Sequence, residues 1–172
     1  MSLSQSSILD YPHSYLTHYT KTLESLIQSI KFNNYKQALN PLQTKINRAL
    51  AGTHHNYDAW VPVPYHTIKS RQRGYNIIIL LFKHYFDSQN IPMIPMLKRI
   101  KQTKPLSQLS KSQRIKTLRG SIQLNTKINL GYSNILLVDD IVTTKTTMKE
   151  CISILKKQPS IKNITCLSLI KA

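Results

Sequence analysis

Acidic side chains are scarce in this sequence. Its 172 residues hold seven Asp and Glu against 24 Lys and Arg, a formal net charge of +17. An imbalance of that size calls for a polyanionic partner or polyanionic surroundings. Cysteine is rarer still. Cys151 and Cys166 are the only two; each falls in an apolar pattern and neither sits in a CxxC pair. That spacing argues against a structural zinc site and leaves two small core residues of a reducing compartment. Long hydrophobic runs are missing as well. The longest, residues 77–82, is six residues, far short of a membrane span. Residues 1–10 lack the basic flank and apolar core of a signal peptide, so the expected location is the cytoplasm. No GxGxxG, P-loop or GxSxG occurs, and His13, His18, His54, His55, His66 and His84 show no metal-ligand spacing. No resident metal site is expected.

The positive charge is unevenly spread. Between Asp87 and Asp139 there is no acid at all, while Lys98, Arg99, Lys101, Lys104, Lys111, Arg114, Lys116, Arg119 and Lys127 fall there. Such a stretch is either a solvated basic loop or a surface for nucleic-acid phosphates.

The length suits one domain, which can bury about 70% of its unfolded surface. Leu16, Tyr19, Leu23, Leu26, Ile27 and Ile30 recur at helical spacing, predicting a helix over 14–30. A second is expected from Asn40 as N-cap, with Pro41 at the first helical position, to Leu50. Residues 1–56 thus read as an N-terminal helical segment ahead of an α/β core over 57–172. In that core the patterns predict strands at 59–64, 91–97, 121–124, 134–138 and 164–170. Helices are expected over 74–86 and from Thr147 to about residue 157. The basic stretch 98–114 reads as a mobile loop ending in a helical turn. Strand–helix alternation argues for a mostly parallel sheet flanked by helices.

Within this frame the two adjacent acids stand out. Asp139 and Asp140 follow the apolar run Ile135, Leu136, Leu137, Val138, which reads as a buried strand. After Ile141 and Val142 come Thr143, Thr144, Lys145, Thr146 and Thr147, at the start of a helical pattern. Hydroxyls, backbone N–H groups and a helix N-terminus suit a phosphate. Two carboxylates beside them suit sugar hydroxyls. A second constellation places Arg71 and Arg73 between the prolines of Val61-Pro62-Val63-Pro64 and a helix start, an arrangement that fits pyrophosphate.

Residues 135–148 resemble the PRPP-binding motif of type I phosphoribosyltransferases. The VPVP strand followed by Arg71-Gln72-Arg73-Gly74-Tyr75-Asn76 is similar to the ComF family, competence-associated proteins with the phosphoribosyltransferase fold. So are Arg99, Thr103, Leu109-Ser110, Arg114 and the short Gly120-Ser121-Ile122 strand, and so is Leu26-Ile27 through Lys31-Phe32. The resemblance implies a type I phosphoribosyltransferase-like fold with its site at the C-terminal ends of the strands. Asp139 and Asp140 would hold the ribose hydroxyls and serve as the catalytic pair. Thr143, Thr144, Lys145, Thr146 and Thr147 would hold the 5′-phosphate, and Arg71 and Arg73 the pyrophosphate. Arg99, Thr103 and Arg114 would belong to a loop closing over the site. PRPP or a related ribose 5-phosphate compound would be the ligand, with Mg²⁺ carried on it. Single-stranded DNA is a further implied partner. Nothing in the sequence sets the oligomeric state, and a dimer is compatible with it.

The sequence also departs from the family's pattern. The usual four-cysteine zinc-binding segment is absent. Lys145 stands where the phosphate loop normally has glycine, so a positive φ there would strain it. Leu106, Thr117 and Ile77 replace Gln, Asn and Gln. These changes surround the implied site, which makes PRPP binding a firmer expectation than turnover. Two roles follow. One is a ComF-like protein of DNA uptake that binds PRPP; the other, less favoured because no base-recognition segment is visible, is a nucleobase-salvage phosphoribosyltransferase.

Overall fold

The computed structural model describes residues 1–33, 36–53, 56–65, 75–100, 120–126 and 131–172, side chains of 31–33 and 36 apart. The chain opens with two strands, β1 (Ser4–Ile8) and β2 (Tyr11–His18), followed by helices α1 (Lys21–Asn33) and α2 (Leu39–Leu50). Then come β3 (Ala59–Pro62), α3 (Ile77–Ser88), β4 (Leu97–Arg99), β5 (Ile122–Leu124), β6 (Asn134–Val142), α4 (Thr146–Leu155) and β7 (Asn163–Lys171). Five strands form the central sheet in the order β1-β2-β7-β6-β3, and β4 pairs with β5 in a small antiparallel sheet of its own. Every central pairing is parallel except β1 with β2. The expected α/β class with a mostly parallel sheet therefore stands.

The middle of the sheet forms as its apolar run dictates. Leu137 and Val138 of β6 and Cys166 and Leu169 of β7 are all buried, as strands covered on both faces require. Asp58 fixes where β6 begins: its carboxylate accepts the backbone N–H groups of Ser133 (2.7 Å) and Asn134 (2.8 Å). Those two bonds, Asn134's foremost, hold the carboxyl below its ordinary pKa. α4 lays Met148, Cys151, Ile152 and Leu155 into the core at helical spacing. On α2 the buried set is Leu39, Leu42, Ile46 and Leu50. Tyr85 of α3 ties the helices together by donating its hydroxyl to the Leu50 carbonyl (2.7 Å).

Several expectations need correction. Residues 1–56 are not an all-helical segment, because residues 4–18 form a hairpin whose second strand joins β7. Leu16 is buried from a strand, and Tyr19, at 39% exposure, lies outside the core. Their helical spacing with Leu23 was coincidental, and the open edge of β7 decided the conformation. The hairpin turns on Leu9 and Asp10 at φ 51° and 65°, two left-handed residues between the paired Ile8 and Tyr11. That is the geometry of a type I′ turn.

α2 begins at Leu39, so Asn40 and Pro41 sit in its first turn, and Ala38 precedes it without a side-chain cap. α3 begins at Ile77, capped by the Asn76 side chain, which accepts the Ile78 N–H at 2.9 Å. The stretch expected as a strand over 91–97 is broken by Pro92 and Pro95, which cannot donate to a ladder. Only Met93 bridges Trp60. The chain then re-forms as β4, so Lys98 and Arg99 lie in a strand and not in a loop. β6 runs on through both acids to Val142. No helix among the described residues is long and apolar enough to cross a membrane.

Candidate phosphate and ribose site

β6 carries the two acids to its C-terminal end, where both are buried, Asp139 at 8% and Asp140 at 5% exposure. Each carboxylate accepts the backbone N–H of the next residue: Asp139 that of Asp140, and Asp140 that of Ile141, both at 2.8 Å. Strand alternation separates them. Asp139 is in register with Ser168 of β7, while Asp140 points to the opposite face. A concavity at the β6–α4 junction is lined by Asp139, Val142 and the whole of Thr143 through Thr147. The structure thus brings Asp139 together with the hydroxyl-rich loop and places Asp140 outside that lining.

The loop closes on the N-terminus of α4. Thr144 Oγ1 and Thr146 Oγ1 lie 2.9 Å apart, and the Lys149 N–H donates to the Lys145 carbonyl (2.9 Å) as the helix starts. Lys145 is left-handed, with φ 58° and ψ 1°, and makes no side-chain cap. The conformation that glycine favours is therefore present with lysine in it. Its ammonium reaches 2.8 Å from the Ser7 carbonyl of β1.

A line of polar groups that the sequence did not suggest runs from the hairpin to Ser168, the register partner of Asp139. Ser6 Oγ lies 2.9 Å from His13 Nδ1, and His13 Nε2 lies 3.0 Å from Ser168 Oγ. The Ser168 hydroxyl donates to the Ile170 carbonyl (3.2 Å). It is therefore free to accept from Nε2–H, which leaves Nδ1 to accept from Ser6. Burial above all, and then the charges of Lys145 and Lys171, push the His13 pKa down to about 4. The ring is neutral at neutral pH, as that tautomer requires. Lys171 itself lies over the Tyr15 ring, 4.8 Å from its centroid. The sequence of β2, with polar and apolar residues in pairs, gives no strand alternation to signal this line, and nothing local shows that Ser168, 155 residues away, is the partner of His13.

The cysteines flank this site without taking part in it. Both are free and buried. Burial, then the nearby Asp139 charge, pushes the Cys166 thiol up to about 12. The same two causes raise Cys151 well above its ordinary value, so neither is a thiolate nucleophile at neutral pH. Arg99 sits at the end of β4, its pKa lowered by burial and opposed by Cys151. Arg71, Arg73, Thr103 and Arg114 lie outside the described residues. So do Leu106 and Thr117, together with most of the acid-free basic stretch.

Among known proteins, no family model matches the chain. It is 30% identical over 147 residues to Competence protein F of Haemophilus influenzae, an alignment covering 81% of this chain and 64% of that protein. The chain is similar to that protein over most of its own length, and it spans a little under two thirds of that relative's length. Among solved structures it is similar to the adenine phosphoribosyltransferase of Thermoanaerobacter pseudethanolicus, with 13% identity, 81% and 83% of the two chains covered and a TM-score of 0.47. The enzyme of Leishmania donovani is matched at 10% identity, over 83% and 68% of the chains, with a TM-score of 0.45. That of Leishmania tarentolae is matched at 10%, over 98% and 94%, with a TM-score of 0.46.

Proposed function

We propose that this ComF-like protein binds PRPP, or a related ribose 5-phosphate compound, at the β6–α4 junction and works in DNA uptake. The observation that carries the reading is the concavity shared by Asp139 and residues 143–147 at the N-terminus of a ten-residue helix. The 5′-phosphate would rest on the loop's hydroxyls and backbone N–H groups, where the helix end contributes partial positive charge. Ribose hydroxyls would donate to the carboxylates at the strand end, each such bond worth about 1.5–3 kcal/mol. Asp140 would reach the sugar from the far side of the strand, and the chain's contribution would be placement of the sugar's C1. Arg71 and Arg73 would meet the pyrophosphate, a role they take from the family resemblance.

Among the described residues no group of three His, Cys, Asp or Glu could hold a metal ion. A Mg²⁺ riding on pyrophosphate and ribose oxygens fits that donor set, because Mg²⁺ needs few protein ligands when a phosphate supplies its oxygens. When bound it would neutralise the pyrophosphate charge. The DNA side of the proposal rests on the net charge of +17 and on the name of the Haemophilus relative. Basic density of this kind should bind single strands with an affinity that falls steeply with salt.

Calorimetric titration with PRPP and Mg²⁺ tests the ligand. Saturable heat and a raised melting temperature are expected, and neither at millimolar ligand would mean that the site is wrongly assigned. A mobility-shift series across salt tests the DNA contact. Reversing charge at Lys101, Lys104 and Lys111 should flatten its salt dependence. Absence of any shift at low ionic strength would leave the small-molecule role alone.

A further inference from the structure

We propose that the β1–β2 hairpin is part of the anion site, and that Lys145 is its positioning residue and not a phosphate ligand. The inference rests on the phosphate-loop reading above, and it explains how a lysine stands at a left-handed position. A residue with a Cβ at φ 58° is strained relative to glycine. Lys145 makes no side-chain cap to α4 that would offset this. What holds it is the far end of its side chain. The ammonium donates to the Ser7 carbonyl of β1 at 2.8 Å, a charge-assisted bond across 138 residues of sequence. In that position the ammonium is committed to the hairpin.

A second, independent connection runs from the same hairpin to β7 beside the acid. Ser6 and His13 are cross-strand partners in β1 and β2, and His13 bonds Ser168, the register partner of Asp139. His13 is 1% and Ser168 0% exposed, so the bond between them is desolvated and costly to break. Neighbouring residues of one edge strand, Ser6 and Ser7, thus tie the hairpin to both elements of the site: one through His13 to Ser168 of β7, the strand paired with β6 at Asp139, the other through Lys145 in the loop. Displacing the hairpin would release both.

Three variants separate positioning from ligation. Lys145→Met removes the strap and keeps the left-handed strain; Lys145→Gly removes both; Lys145→Arg keeps N–H donors for Ser7. The probes are inorganic phosphate and ribose 5-phosphate, with affinity read by calorimetry and hairpin amide exchange read without ligand. Lys145→Met should weaken phosphate binding about fivefold. Lys145→Gly should bind more tightly than Lys145→Met, and Lys145→Arg should recover most of the loss. Exchange of the amides in 4–8 and 11–18 should quicken in the Met and Gly variants and not in Arg. Equal losses in Met and Gly would make the lysine a ligand and overturn the proposal, as would hairpin exchange unchanged in both. If the wild-type protein binds neither probe, the phosphate reading falls while the exchange measurement still decides the strap.

Discussion

The middle and one edge of the central sheet are held by different physics. In the middle, β6 and β7 are apolar ribbons buried on both faces, with Leu137, Val138, Cys166 and Leu169 at 3% exposure or less. At the edge, β1 and β2 offer serines, a glutamine, histidines and a threonine, and polar bonds through His13 help fix their place. Hydrophobic burial is non-directional, so the middle would tolerate small shifts in side-chain placement. Hydrogen-bonded polar lines are directional, and a displacement of the edge leaves buried groups unmade. The candidate site straddles this boundary. Its acids and loop grow from the apolar middle, while the support of that loop comes from the polar edge.

The largest expected effect lies on the middle's side. Asp139→Asn combined with Asp140→Asn should weaken PRPP binding on the order of 100-fold, since two charge-assisted bonds of about 1.5–3 kcal/mol are reduced. The melting temperature should move little by comparison. Unchanged affinity in a folded double variant would remove the acids from the site. If Asp140→Asn alone proved silent, the ribose would be read from Asp139's face only, which would tie the site more closely to the hairpin side.

What could be read from the sequence follows the same division. Ile135 to Val138 reads as a buried strand because its apolar run is short and β-branched at both ends, and the acids and threonines follow it along the chain. The positive φ that would strain a lysine at position 145, left open by the sequence, is present at 58°. The separation of Asp139 and Asp140 to opposite faces follows from period two once β6 is known to run through them, but the strand was expected to stop at Val138. The edge was illegible for a different reason. The turn at Leu9 and Asp10 lacks the glycine that marks a two-residue hairpin loop, and Leu16 and Tyr19 fall in phase with the true helix that follows. Only the pairing with β7, remote in sequence, selects the strand.

An intermediate effect should appear in the polar line itself. His13→Leu leaves the buried Ser168 hydroxyl and the half-buried Ser6 hydroxyl without the ring, at a cost of about 1–3 kcal/mol at pH 7. The pH dependence has a defined sign. The folded-state pKa of His13 lies at about 4 against an ordinary 6.5, so between those values the unfolded chain binds the proton and the folded one does not. This group therefore lowers wild-type stability as pH falls from about 6.5 toward about 4, and His13→Leu abolishes that component. Urea unfolding at pH 7 and pH 5 should show the gap between wild type and variant narrowing at the lower pH. A gap of constant size would mean that His13 is not held neutral by its surroundings, and the edge would then resemble the middle.

The smallest effect concerns the turn, and it asks whether the edge's dependence on remote contacts can be relieved locally. Leu9 and Asp10 both carry a Cβ at positive φ, and Leu9 also leaves 44% of its surface in water. Leu9 does not favour the type I′ geometry and Asp10 tolerates it less well than glycine, whereas Asn followed by Gly suits both positions. Leu9→Asn with Asp10→Gly should therefore raise stability by about 1 kcal/mol, seen as a higher urea midpoint with an unchanged slope. Because the two strands keep their pairing, the bond from Lys145 to Ser7 should survive, and phosphate affinity should hold or rise slightly as the hairpin becomes better fixed. A lower midpoint would mean that Leu9 or Asp10 makes a stabilising contact outweighing its backbone strain. A higher midpoint with weaker phosphate binding would be more telling: a stiffer hairpin would then hold Ser7 away from the position that Lys145 needs, and the edge would tune the loop through its flexibility instead of its placement.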